Sequence, residues 1–320
     1  MNRLPATITL GISLAWTIAA GPLQKAQVAA DARWVVHLDV EGLLATKVGG
    51  MLARESLGPA LAGPSATLKQ QYGVDFDWRR IRSVTLYGPD FKGASQPGGV
   101  LLVDTDMDVA GGLEAALAKV AVAGHGAGSP LERVADSTVP LYRILGEVFV
   151  AAAPGKPVVV AKARDATLRA RQVLSGETPH LSSGTVQAPG FSEFCQSGDG
   201  FFFMAAAQGF SELAPIPPQA QVLRMAEGVR LNVGEFGDEV RATVALSTRT
   251  IESAQQVQQI VQGLLALALL TQNNQPELQS LLQASRVSRE EKLVTLNLAL
   301  PPAIISKKLA EGPFGQRGQN

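Results

Sequence analysis

Cysteine, histidine and net charge are the scarce features of this 320-residue chain, and each scarcity removes a class of function. A single cysteine, Cys195, allows neither an intramolecular disulfide nor a cysteine-based zinc cluster. Three histidines, His37, His125 and His180, leave little for a multi-histidine metal site. Lysine plus arginine equals aspartate plus glutamate at 28 each, so no basic surplus exists to neutralise nucleic-acid phosphates. Neither a Gly-x-Ser-x-Gly elbow nor a His-Glu-x-x-His helix occurs, so the commonest hydrolase signatures are missing. What remains is a globular composition, 46% hydrophobic, with enough chain for two domains of ~150 residues or one larger one.

Long apolar runs are confined to two places. Residues 8–20 follow Arg3 and precede Gly21-Pro22 and a small-residue run ending Val28-Ala29-Ala30. One positive charge, a short apolar core and small residues before a cut are the parts of a secretory signal peptide. Residues 1–30 are therefore assigned to it, with cleavage after Ala30 and a site near Ala20 as second choice, and the product is expected to be secreted or periplasmic. The apolar core is shorter than the ~20 residues that span a bilayer, and no cysteine follows it to accept a lipid. The mature chain keeps 26 basic and 28 acidic residues, a balance that gives no electrostatic hold on a membrane surface. The second run, residues 263–270, reads as part of a buried helix too short to cross a membrane, so no transmembrane segment is expected after export.

Strand-like and helical patterns alternate from residue 33 onward. Residues 34–40 place Trp34, Val36, Leu38 and Val40 on one face and Val35, His37 and Asp39 on the other, the period of a half-buried strand. Residues 41–55 have the helical stripe Leu43, Leu44, Val48, Met51 and Leu52. Strands are expected at 81–87, 99–104, 139–145, 147–152 and 158–161, with helices at 108–122 and 165–174. Residues 176–200 are rich in Ser, Gly, Pro and Thr and read as a linker or long loop. Beyond it come strands at 201–206, 221–226, 229–235 and 239–247, a short helix at 208–213, helices at 251–270 and 276–284, and a strand at 292–300. Pro301-Pro302 would open a final helix, followed by a flexible tail at 312–320. The fold class expected is α+β, as two tandem units, residues 31–175 and 201–311, each an antiparallel sheet with helices packed on one face.

The runs at 34–40, 99–104, 149–155 and 292–298 resemble those of uncharacterised exported bacterial proteins that repeat an α+β unit behind a signal peptide. The resemblance lies in apolar patterning over most of the mature chain and has no polar signature. It implies a fold and a compartment, and brings no catalytic residues and no cofactor.

Four local candidates for chemistry each have a plainer structural reading. His37 and Asp39 share a strand face and could act as base and orienter or as two metal ligands, but a third group is not identifiable. Asp104, Asp106 and Asp108 open like a calcium loop, which Val109 and Ala115 then break, so helix capping explains them better. The glycine-rich stretch 124–129 follows a helix instead of a strand, the wrong context for a phosphate cradle. Cys195 lacks an adjacent activating base.

A distributed feature weighs more. His37, Asp39, Thr85 and Tyr87 in the first unit, and Arg230, Asn232, Arg241, Thr243 and Asn297 in the second, stand opposite the apolar residues of their strands. They would line the sheet face away from the helices, as a solvated surface or as an open recognition face. The functional reading is an exported bacterial protein, a non-enzymatic binding or structural component of the cell envelope. The alternative is a periplasmic carrier of an apolar small molecule or lipid, with the helix at 251–270 covering one side of its cavity. A hydrolase using the polar face is the third option. No cofactor or metal is implied, and the expected partner is a protein or a small apolar ligand.

Overall fold

The computed structural model describes residues 21–91, 99–122, 129–135, 139–183, 190–209, 225–271 and 276–300. The leader core, the glycine-rich stretch near His125, the helix expected at 208–213 and the last helix and tail fall wholly or largely outside those residues.

The described residues begin with an irregular strap, residues 21–33, followed by β1 (Trp34–Asp39). Asp39 ends that strand and caps α1 (Val40–Leu44), its carboxylate accepting from the Gly42 amide at 2.8 Å. Thr46 does the same for α2 (Lys47–Leu52), and a π-helical turn leads on to α3 (Gly58–Tyr72). β2 (Ile81–Gly88) and β3 (Val100–Thr105) precede α4 (Val109–Val122), which Asp108 starts by accepting from the Gly111 amide at 2.9 Å. β4 (Leu131–Arg133), β5 (Leu141–Ile144), β6 (Val148–Ala151) and β7 (Val158–Ala161) complete the first half with α5 (Arg164–Ser175). Gly176, at φ 79°, closes that helix in the left-handed conformation glycine adopts without a steric penalty. The second half has α6 (Phe191–Phe194), β8 (Phe201–Gln208), β9 (Ala226–Phe236), β10 (Glu239–Thr248), α7 (Ile251–Thr271), α8 (Pro276–Ala284), β11 (Arg286–Glu290) and β12 (Leu293–Leu300).

The α+β class and the antiparallel pairing are as expected, and the arrangement differs in two respects. First, the described strands make one twelve-stranded sheet in the order β11, β12, β10, β9, β8, β1, β2, β3, β7, β6, β5, β4. β1 joins the halves by pairing with β2 on one edge and β8 on the other. Second, helices pack on both faces. α5 brings Ala170, Val173 and Leu174 onto one face, together with the strap, Leu181, Phe191 and Cys195. On the other face, α4 covers the Val150 and Val158 end and the first half of α7 covers Leu246 and Val294.

Two segments thought to be outside the fold are in its core. Leu23, Val28 and Ala29 of the strap are buried, although residues 1–30 were assigned to the signal peptide. The strap is also tied by backbone hydrogen bonds, from Leu181 to Val28 and from Ala30 to Pro179. Within residues 176–200, expected to be a linker or long loop, Leu181, Phe191 and Cys195 are buried in the same cluster. The few apolar residues there act as plugs over a sheet face, a role their polar sequence neighbours conceal.

Candidate functional site

Strand register puts all nine polar residues singled out in the sequence on one face of the sheet. Asn297, Thr243, Asn232, His37 and Thr85 belong to a single cross-strand row, with Met204 between Asn232 and His37. Arg230 and Tyr87 lie in the adjacent row, linked through Ala206 and Val35. Asp39 and Arg241 stand two residues along their strands on the same face. The row is continuous because every pairing is antiparallel and in register across the join between the halves.

Continuity does not make this face one open site. Its central part is the side that the strap, α5, Leu181 and residues 190–195 cover, so His37, Asp39, Thr85, Tyr87 and Asn232 are buried. At β10 and β12, Arg241 and Asn297 are exposed, and Thr243 donates to Asn297 Oδ1 at 2.9 Å. The expectation that helices would avoid this face is therefore corrected for its centre. Val35, Met204 and Ala206 share the centre with the polar residues, and they supply the apolar contact that draws the cover down.

Apart from the Tyr87 hydroxyl, which has no hydrogen-bond partner, the buried polar side chains each have one. His37 has Nδ1 2.9 Å from Thr85 Oγ1 and Nε2 3.3 Å from the Gly21 carbonyl, and burial lowers its pKa, which keeps the ring neutral. Asp39, the proposed orienter, is committed to capping α1. Arg230 donates to the Phe194 carbonyl at 2.8 Å and lies over the Phe194 ring. Asn232 donates to the Gln196 carbonyl at 3.1 Å. Thus Arg230 and Asn232 fasten the segment that carries Cys195. The Cys195 thiol is fully buried and pushed up to about 12 by desolvation, so it stays protonated and unreactive at neutral pH. The acidic triplet is also accounted for: Asp104 pairs with Arg82 at 2.6 Å, Asp106 with Arg80 at 2.8 Å, and Asp108 caps α4. Among the described residues, no group of three His, Cys, Asp or Glu side chains is placed to hold a metal.

The other face has a feature the sequence reading passed over. Leu296, Val244, Leu231, Ala205, Val36, Leu86 and Leu101 are direct cross-strand neighbours from β12 to β3, all apolar and all half-buried. At ~4.8 Å per strand spacing, this row is roughly 29 Å long. Half-buried apolar rows flank it, with Trp34, Ala207 and Val229 on one side and Leu38, Phe203 and Val233 on the other. α7 extends the apolar surface, with Leu264, Leu267 and Leu270 exposed at 45, 56 and 73%. Alternation in β1, β9 and β10 was the available signal, because polar residues on one parity leave mostly apolar ones on the other, whereas residues 201–207 of β8 are apolar on both.

Neither a protein family nor a curated relative matches this sequence. Solved structures do align, among them three crystal forms of TP0453. Form III is 10% identical, covers 92% of this chain and 100% of that one, and gives a TM-score of 0.48. Form I is 10% identical at 93% and 100% coverage with a TM-score of 0.46, and form IV is 11% identical at 91% and 98% with 0.47. The likeness spans most of both chains but is too low in identity and score to support a statement about function. No helix among the described residues is long and apolar enough to cross a membrane.

Proposed function

We propose that this is an exported bacterial envelope protein that works by binding and not by catalysis, and that it carries a long aliphatic molecule on the open apolar face. The seven-strand apolar row supports this reading most directly. Removing such a surface from water is favourable in proportion to its area, and a row without a hydrogen-bonding or charged side chain selects for hydrocarbon. Its length of roughly 29 Å suits an extended acyl chain better than a compact solute. The polar face argues the same way from the opposite side, since His37, Asp39 and Cys195 are engaged or buried and offer no nucleophile and base in reach of a substrate.

Export keeps its sequence basis, and the burial of Val28 and Ala29 favours the cut near Ala20 over the one after Ala30. Purification from an exporting bacterial host followed by native and denaturing mass spectrometry tests the proposal. A mass excess seen only in the native spectrum, extractable into organic solvent and reduced in Leu231→Asn, is expected. A clean protein mass, combined with failure to take up a fluorescent long-chain fatty acid, would overturn the carrier reading.

A further inference from the structure

β11 is the last strand at its end of the sheet. β12 occupies one of its edges, and among the described residues no strand occupies the other. Arg286, Ser288, Arg289 and Glu290 are exposed, and Val287 is half-buried with the cluster under α7. An edge left open in this way offers its backbone to another strand unless the side chains forbid it.

The hairpin fixes which backbone groups are on offer. The Lys292 carbonyl accepts from the Thr248 amide at 3.0 Å, so residue 292 points its polar groups toward β10. These directions alternate along a strand, so Leu293, Thr295 and Asn297 point theirs toward β11. Their register partners Glu290, Ser288 and Arg286 are therefore engaged with β12. The amides and carbonyls of Val287 and Arg289 are left pointing out from the sheet.

The side chains then select a partner. When a second β11 lies antiparallel with Ser288 against Ser288, Val287 of each copy stands opposite Arg289 of the other. Those are the residues with outward backbone groups, so they exchange hydrogen bonds across the join. The same register sets Arg286 opposite Glu290 at both ends, in the pairs without backbone bonds, where side chains approach most closely. Among the described residues, neither of these side chains has an ion pair of its own. Sliding the strands by two residues in one direction sets Arg289 against Arg289. Sliding them the other way puts Arg286 opposite Ser288 and takes Glu290 past the end of the partner strand. Backbone and charge thus choose one register, and it has two-fold symmetry.

We propose that the chain forms a symmetric dimer through β11, joining two sheets edge to edge. The surface is self-complementary, so the assembly closes at two copies. Its axis runs perpendicular to the sheet, and the open apolar faces of both copies look the same way. The dimer does not depend on what that face carries.

Sedimentation velocity of the exported chain over a concentration series should show a dimer whose fraction grows with concentration. Arg286→Glu and Glu290→Arg should each weaken it roughly tenfold or more, since either change sets like charges opposite one another at both ends. An equimolar mixture of the two variants should dimerise again, because each supplies the charge the other needs. Ser288→Cys should cross-link two copies in non-reducing electrophoresis: Cα atoms in such a pair lie ~4.5 Å apart, within the roughly 4.4–6.8 Å that a disulfide spans. Cys195 is buried and does not compete, and Glu290→Cys, away from the axis, should stay uncross-linked. Circular-dichroism spectra matching the parent chain establish that the variants fold. A chain that stays monomeric at every concentration and gives no Ser288→Cys cross-link would overturn the proposal. So would a dimer indifferent to both charge reversals, or a mixture that fails to recombine.

Discussion

Val28 allows a test of whether the strap belongs to the mature protein. It is fully buried, it packs in the main core cluster with Leu181 and Phe191, and its carbonyl accepts from the Leu181 amide at 2.8 Å. Val28→Ala keeps the backbone bond and deletes two methyl-sized groups. At ~0.8 kcal/mol each, their lost transfer energy is about 1.6 kcal/mol. The cavity left behind raises the cost to roughly 2–3 kcal/mol. For a chain of this size that corresponds to a fall in melting temperature of roughly 3–5 °C. The assay is thermal denaturation by circular dichroism on protein recovered from the periplasm, with intact mass to locate the N-terminus. Val122→Ala, at a side chain 89% exposed, serves as a control expected to change nothing. If cleavage follows Ala30, residue 28 is lost with the leader and the substitution has no effect. An unchanged melting temperature with a mature mass beginning at Asp31 would refute the assignment of the strap to the core.

Three further outcomes follow from the geometry. Gly234→Ala should lower stability by roughly 2 kcal/mol or more, because its Cβ would lie 2.4 Å from the Gly200 carbonyl oxygen and 2.9 Å from Phe201 Cα, backbone that cannot step aside; a urea titration measures this, and an unchanged midpoint counts against the close approach. Cys195 should resist iodoacetamide at pH 8 in the native state and react fully in denaturant, and rapid native labelling would show the cover over this thiol to be loose. His37 has a folded pKa below its unfolded value of ~6.5, so the unfolded chain binds the extra proton between the two. Stability should therefore be complete above pH ~6.5 and decline as the pH falls below it, and His37→Gln should flatten that part of the curve in melts at a series of pH values.

Period-two alternation made most of the sheet readable from sequence, and residues 251–270 and 276–284 announced α7 and α8 closely. The common face of the nine polar residues was legible for the same reason, since parity along a strand survives any packing. Which face the protein covers was not legible, because that depends on what the rest of the chain lays across the sheet. His37 reads as a surface residue beside Asp39, yet the strap and Met204 enclose it. α3 was missed because Gly58, Pro59, Gly63 and Pro64 read as breakers and none of its residues is buried to mark a stripe. The plugs Leu181, Phe191 and Cys195 escaped notice because isolated apolar residues in a polar stretch have no period. Tyr87 was among the polar residues singled out from the sequence, but the missing partner of its hydroxyl is a fact of three-dimensional packing.

The position of β1 at the seam has a consequence for the order in which the sheet can assemble. Residues 34–38 are the first strand of the sheet to be synthesised, but one of their two edges is completed only by residues 203–207 of β8. Until those arrive, a strand destined for the middle of the sheet presents an open row of amides and carbonyls flanked by aliphatic side chains, the usual template for aberrant pairing. Assembly must then wait on a pairing distant in sequence, which is slow for entropic reasons. Such a chain would depend on a holding chaperone for the interval between the two strands, and production yields should respond to that chaperone's supply more than to the stability of the finished fold.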